Sequence, residues 1–133
     1  MIIAMFAMTL LTIIVGLIAL KARFASVKNG SLPIKYFRLM QGENTPEIVI
    51  KTTRCFNNLF EVPILFYVIC LLYLVTNSET ISAQIIAWLF VGFRVLQAYI
   101  HLSYNNVRHR MLSFFAAIIC ILLLWIILLV KII

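Results

Sequence analysis

Polar side chains with the capacity to bind a ligand interrupt two long apolar segments of this 133-residue chain. The first set is Arg54, Asn58 and Glu61, and its i, i+4, i+7 spacing places all three on one stripe of a helix. Lys51, one turn earlier, prolongs the stripe. An arginine and a carboxylate bind groups of opposite charge, and an amide offers both a donor and an acceptor. The stripe therefore predicts a binding site for a small hydrophilic molecule that carries carboxylates and an amino group.

A second polar set follows in the next apolar segment, where Arg94, Gln97, His101 and Tyr104 are spaced i, i+3, i+7 and i+10. These positions again share one helical face. Antiparallel packing of the two segments would bring Glu61 and Arg94 to the same depth, about 15 Å from the surface at about 1.5 Å per residue. We predict an ion pair between them at the inner end of a polar cleft that opens to the cytoplasm.

Each of these residues also has a purely structural interpretation. An arginine near the end of a span, such as Arg54, extends its head group to the membrane surface, and Arg108 and Arg110 mark topology. A pair between Glu61 and Arg94 can serve only to fix the helix register. Two stripes at helical spacing on neighbouring segments nevertheless favour a binding site over chance scatter.

The composition indicates an integral membrane protein. Hydrophobic residues are 65% of the chain and charged residues only 11%, whereas about 25% of a soluble domain is charged. The net charge of +7 comes from basic residues spread along a membrane face, so nucleic-acid binding is not expected. The three cysteines (Cys55, Cys70 and Cys120) lie in apolar runs without metal-ligand spacing. Neither a disulfide framework nor a metal site is therefore expected.

Four apolar runs are long enough to cross about 30 Å of hydrocarbon. They predict spans at residues 1–20, 55–77, 81–104 and 111–130, with short polar turns between the last three. Positive charges follow the first run rather than precede it, which favours an uncleaved helix over a signal peptide. The predicted fold is an all-α, up-down four-helix membrane bundle that forms one domain over residues 1–133. Because proline lacks a backbone N–H, Pro63 predicts a bend in the second span near Leu59.

Basic residues are distributed unevenly between the two ends of these spans. The connection at residues 21–51 contains six lysines and arginines, and the turn after the third span adds Arg108 and Arg110. Short basic connections remain in the cytoplasm. We therefore predict that both basic connections are cytoplasmic and that both termini lie outside.

The segment from Arg54 to Pro63 has the pattern R-x3-N-x2-E-x-P at the start of the second of four spans. Arg94 precedes Arg110 by sixteen residues across a short turn. In these motifs, in chain length and in topology, the sequence resembles the MAPEG superfamily, the membrane-associated proteins in eicosanoid and glutathione metabolism. The resemblance covers essentially the whole chain. It is greater to bacterial members than to the eicosanoid enzymes, which implies a bacterial inner membrane.

The resemblance implies a homotrimer in the lipid bilayer that binds reduced glutathione between helices of neighbouring subunits. It assigns glutathione contacts to polar residues of the second and third spans and to basic residues beside them: Arg54, Asn58, Glu61, Arg94, Gln97, His101, Arg108 and Arg23, with Lys21 as an alternative to Arg23. It assigns thiol activation to Arg110, with Arg108 as a near alternative. A cation beside the sulfur favours the thiolate, which is the reactive nucleophile.

The leading functional hypothesis is a glutathione-dependent transferase or peroxidase that acts on a lipophilic electrophile from the bilayer. Glutathione is then a co-substrate, no metal takes part, and binding brings the two reactants together. Two alternatives stay open: a non-catalytic membrane protein that binds a small thiol or keeps only the fold, and a small four-span transporter. The first span has no acidic residue with which to couple protons to transport, which disfavours the transporter.

Overall fold

The computed structural model describes residues 1–40 and 45–133, and helix is the only regular secondary structure within them. The described residues form six helices: α1 (Ile2–Lys28), α2 (Tyr36–Leu39), α3 (Glu47–Asn58), α4 (Val62–Val75), α5 (Ile81–Leu102) and α6 (Val107–Ile132). Residues 41–44, which belong to the predicted cytoplasmic connection, lie outside the described residues. The all-α prediction is confirmed for the described part of the chain.

Four helical segments are long and apolar enough to cross a membrane: α1, the α3–α4 pair taken as one span (Glu47–Val75), α5 and α6. This confirms the prediction of a multi-pass membrane protein with four spans. The helices continue beyond the predicted apolar runs, since α1 extends to Lys28 and α3 begins at Glu47. Such polar extensions remain helical because long charged side chains keep their head groups in water while their stems cover apolar surface.

The second span is broken in its middle. Helix α3 ends at Asn58, residues 59–61 form a turn, and α4 starts at Val62 with Pro63 in its first turn. Pro63 has no N–H for the carbonyl of Leu59, and its ring occupies the space in which that carbonyl would lie in a continuous helix. The backbone instead closes two tight bonds, from Leu59 N to Phe56 O (3.0 Å) and from Phe60 N to Asn57 O (2.9 Å). The bend predicted near Leu59 is therefore present as a complete break.

Aromatic and aliphatic side chains fill the space between the four spans. The rings of Phe66 and Phe90 stack with their centroids 4.2 Å apart, which joins α4 to α5. The buried hydroxyl of Tyr73 donates to the carbonyl of Leu124 at 2.8 Å, which joins α4 to α6. Large apolar side chains also remain exposed along every span, as expected for helices that face lipid.

Close contact between α1 and α3 depends on a glycine. A Cβ atom built on Gly16 would lie 2.8 Å from Cε2 of Phe56, whereas one built on Gly92 in α5 would meet nothing within 4 Å. We expect Gly16→Ala to destabilise the protein by about 1–3 kcal/mol through overpacking. Gly92→Ala, the matched control, should leave stability unchanged or raise it by up to about 1 kcal/mol, because alanine favours a helix. Thermal unfolding in detergent measures both; equal shifts would contradict this packing argument.

Candidate functional site

Arg94 is the first residue of the polar stripe on α5, and its side chain is only 1% exposed. Its Nη1 donates to Oε1 of Gln97, one turn later on the same helix, and its Nη2 donates to the backbone carbonyl of Asn58 at the end of α3. Both donor–acceptor distances are 2.5 Å. Its Nε is buried without a partner among the described residues. Arg94 therefore bridges α5 to the end of α3.

The predicted ion pair between Glu61 and Arg94 is wrong. Glu61 is exposed, and within the described part of the chain the ion pair within 4.0 Å joins the amino group of Met1 to Glu79. The break before Pro63 explains the difference. Helix α3 ends at Asn58, before Glu61, and the Nη2 of Arg94 donates to the carbonyl of Asn58 rather than to the Glu61 carboxylate.

The other two polar residues predicted on α5 are also buried. Gln97 is 6% exposed and His101 is 1% exposed. Together with Cys55, Asn58 and Arg94 they line a space of about 10 Å³ between α3 and α5, which is room for about one water molecule. The predicted polar cleft is therefore closed within one subunit, because the Arg94 side chain itself fills it.

The remaining predicted residues lie at or near the surface. Arg54, Glu61 and Arg108 are exposed, and their side chains make no hydrogen bond or ion pair with any described residue. Asn58 is half-buried. Arg23 is half-buried at the end of α1, and its Nη2 donates to Oγ1 of Thr53 on α3 at 3.2 Å. The structure thus divides the predicted site into a buried group on α5 and an exposed or half-buried group on α1, α3, the turn at residues 59–61 and α6.

Arg110 lies in the first turn of α6, where Asn106 binds the backbone of the helix and Asn105 binds the arginine side chain. The side chain of Asn106 caps the helix by accepting from the backbone N–H groups of Arg108 (2.9 Å) and His109 (3.2 Å). Oδ1 of Asn105 accepts from Nη1 of Arg110 at 2.8 Å, and the buried Nε of Arg110 has no described partner. A helix N-terminus carries partial positive charge. Two arginines there, with no acidic residue in the first turn, make this end of α6 strongly electropositive.

Sequence reasoning missed Thr53, Asn105 and Asn106, although each holds an arginine or its backbone in place. The Asn106 cap had a recognisable signal, since an asparagine directly before a helical run is a common N-cap. The hydrogen bonds from Arg23 to Thr53 and from Arg110 to Asn105 had none, because side-chain pairing across a turn or between helices leaves no periodic trace in a sequence.

These features define a multi-pass membrane protein of four spanning helices, with a broken second span and an electropositive start to the fourth. A family model described as the MAPEG family matches residues 1–130, and the chain belongs to that family. Searches of curated proteins and of solved structures gave no significant match. The predicted membership is confirmed, and the chain is a member of the superfamily of membrane-associated proteins in eicosanoid and glutathione metabolism.

Proposed function

We propose that this protein binds reduced glutathione, activates its thiol and transfers it to a lipophilic electrophile, as a homotrimer whose ligand sites lie between subunits. The observation that carries this proposal is the position of Glu61. It lies inside the span Glu47–Val75, it is exposed, and no described residue forms an ion pair with it within 4.0 Å, although the charge of the buried Arg94 acts on it from farther away. A charged side chain at the centre of a spanning helix costs roughly 2.5–3.5 kcal/mol on insertion scales, so a carboxylate inside a span without an ion-pair partner calls for a polar neighbour. A polar ligand between subunits removes this cost.

The exposed group of residues has the charges that glutathione requires. Glutathione carries two carboxylates, one α-ammonium group and two amides. Arg54 and Arg108 suit the carboxylates, Glu61 suits the ammonium group, and Asn58 suits an amide. Arg23 is suited to a carboxylate from the end of α1 of a neighbouring subunit. In this proposal the ligand satisfies Arg54, Arg108 and Glu61, whose side chains form no hydrogen bond or ion pair with a described residue of their own subunit.

Thiol activation falls to Arg110. The guanidinium and the N-terminus of α6 both favour negative charge nearby, so a thiol placed there loses its proton more readily. The thiolate then attacks the electrophilic carbon, a sulfur–carbon bond forms, and the leaving group departs with the bonding electron pair. With an organic peroxide as the electrophile, two glutathione molecules are oxidised to the disulfide, and the peroxide is reduced to an alcohol and water.

The lipophilic substrate needs an apolar approach to this site. A groove of about 380 Å³ between α1 and α3 is lined mainly by apolar side chains, among them Leu17, Leu20 and Phe60, and has Arg23 at one end. Because these three apolar side chains are exposed, we expect the groove to open to the bilayer, where a molecule dissolved in lipid can enter without crossing water. The groove supports a substrate that partitions into membranes.

The proposal is tested by titrating the purified protein with glutathione and following both binding and thiolate absorbance. Saturable binding with thiolate formation is expected, followed by glutathione-dependent turnover of a lipophilic electrophile such as a chlorodinitrobenzene. Binding without thiolate would favour the non-catalytic alternative, for which the structural use of Gln97 and Arg94 inside the subunit is the supporting observation.

A further inference from the structure

Two parts of the exposed site are separated by the break in the second span. Arg54 lies on α3, before the break, and Glu61 is the last residue of the turn that precedes α4. Their separation and relative direction therefore depend on the angle at which α3 meets α4. A turn of three residues next to a proline does not fix that angle by itself, because its residues have fewer backbone hydrogen bonds than a continuous helix.

Arg94 provides a hydrogen-bond donor for a backbone carbonyl at the end of α3. The last four carbonyl groups of a helix have no partner within that helix and carry partial negative charge. Nη2 of Arg94 donates to the carbonyl of Asn58, the last residue of α3. A guanidinium holds its donors in a rigid plane, so this contact fixes the direction as well as the distance of the carbonyl.

Gln97 holds the guanidinium in that orientation. Its Oε1 accepts from Nη1 of Arg94, and both side chains are buried, so water does not compete for either group. The contacts connect Gln97, Arg94 and the Asn58 carbonyl in series, from the rigid helix α5 to the end of α3. We call these three groups the α5–α3 clamp.

We propose that Arg94 and Gln97 are positioning residues: the α5–α3 clamp fixes the break between α3 and α4 and so sets Arg54 and Glu61 at the separation that a ligand needs. Arg94 acts through the backbone of Asn58 and does not touch the ligand, in contrast to the role that the family resemblance implied. The identity of that ligand as glutathione rests on the proposed function. The claim that Arg94 and Gln97 fix the break between α3 and α4 does not depend on that function.

Substitutions at Gln97 test the clamp with side chains of nearly equal size. Gln97→Leu removes the acceptor and leaves a buried Nη1 of Arg94 unpaired, whereas Gln97→Glu keeps an acceptor and adds a charge that attracts the guanidinium. Tyr73→Phe serves as a control for general destabilisation, because it removes a buried hydrogen bond to Leu124 that does not involve the break. All three are compared with the wild-type protein by hydrogen–deuterium exchange and by glutathione titration.

In Gln97→Leu we expect the amides of Leu59 and Phe60 to exchange at least about 10-fold faster and glutathione to bind about 10-fold more weakly, since a hydrogen bond to a charged group is lost. The fraction of bound glutathione present as thiolate at saturation should stay unchanged, because Arg110 is untouched. Gln97→Glu should restore both exchange and binding. Tyr73→Phe should lower the melting temperature without altering either.

Unchanged exchange at Leu59 and Phe60 in Gln97→Leu would overturn the clamp. Faster exchange with unchanged glutathione affinity would overturn the claim that the break positions the binding residues. If the wild-type protein does not bind glutathione at all, the proposed function fails. The exchange comparison then still decides whether Arg94 and Gln97 hold the break.

Discussion

Arg110→Ala is expected to leave glutathione bound but to slow its reaction with an electrophile by about 100-fold at neutral pH, the size of effect seen when one preorganised electrostatic donor is removed. Arg110 lies in the first turn of α6, beside a helix end with partial positive charge and no compensating acid. Its positive charge stabilises the thiolate more than the thiol. Its removal should therefore return the pKa of the bound thiol towards that of free cysteine, about 8.5.

Arg110→Ala should also change the dependence of the conjugation rate on pH. A cation beside sulfur lowers the thiol pKa, so the wild-type protein should reach its full rate at a pH below about 8.5, the pKa of an unperturbed thiol. The rate of Arg110→Ala should still be rising at and above that pH, and its deficit should shrink as free thiolate becomes abundant. Measurements of the conjugation rate at saturating glutathione across this range decide the matter.

Two further variants separate charge from position. Arg110→Lys retains the charge but loses the bond from Nη1 to Oδ1 of Asn105, so it should keep more of the rate than Arg110→Ala. Arg108→Ala removes the exposed neighbouring cation. A larger loss in Arg108→Ala than in Arg110→Ala, with the same change in pH profile, would assign thiol activation to Arg108 and contradict the role given to Arg110.

Glu61→Gln and Arg54→Leu should each weaken glutathione binding by roughly 10–100-fold, because a hydrogen bond to a charged group contributes about 1.5–3 kcal/mol. Both side chains are exposed on the isolated subunit and have no described partner there. Arg54→Leu should therefore change the stability little, whereas Glu61→Gln should leave the stability unchanged or raise it, because an unpaired charge inside a span is costly when no ligand is bound. Isothermal titration of the two variants measures the affinity, and thermal unfolding measures the stability.

Chemically altered ligands show which group each residue binds. Glutathione acetylated on its α-amino group should bind wild type weakly, and Glu61→Gln should distinguish it from glutathione far less. An ester of the glycyl carboxylate should behave in the same way towards Arg54→Leu. Lys28→Ala, which removes an exposed cation at the end of α1, is the matched control and should bind both ligands as wild type does. Equal losses of affinity for modified and unmodified ligands in both variants would contradict these assignments.

Local patterns were enough to predict the four spans, a bend near Leu59 and the family, because each depends on composition, on periodicity or on one residue type. The partner of Arg94 was not predictable in this way. Two acceptors competed for it, the carboxylate of Glu61 and the carbonyl of Asn58, and the helical spacing that favoured Glu61 assumed a continuous helix. The break ends α3 at Asn58 and leaves the carbonyl of that residue as the acceptor for Arg94, so the interruption beside Pro63 decides which bond forms.

The burial of the polar residues on α5 could not be predicted from the sequence either. Arg94, Gln97 and His101 share a face, as their spacing predicted, but the spacing does not say whether that face meets a ligand or another helix. In a single subunit that face meets another helix, because the space left between α5 and α3 is only about 10 Å³. The functional proposal places Arg54 and Glu61 beside a neighbouring subunit, and contacts of that kind leave no mark in the periodicity or in the contacts of one chain.

Titration of the purified wild-type protein with glutathione, followed by ultraviolet thiolate absorbance, tests the central claim most directly. S-methylglutathione is the control, because it has the same charges but no thiol to ionise. We predict a saturable thiolate signal at neutral pH, far above that of the same concentration of free glutathione, which S-methylglutathione abolishes by competition. A signal that rises linearly and equals that of free glutathione at every concentration would contradict an activated thiol in this protein.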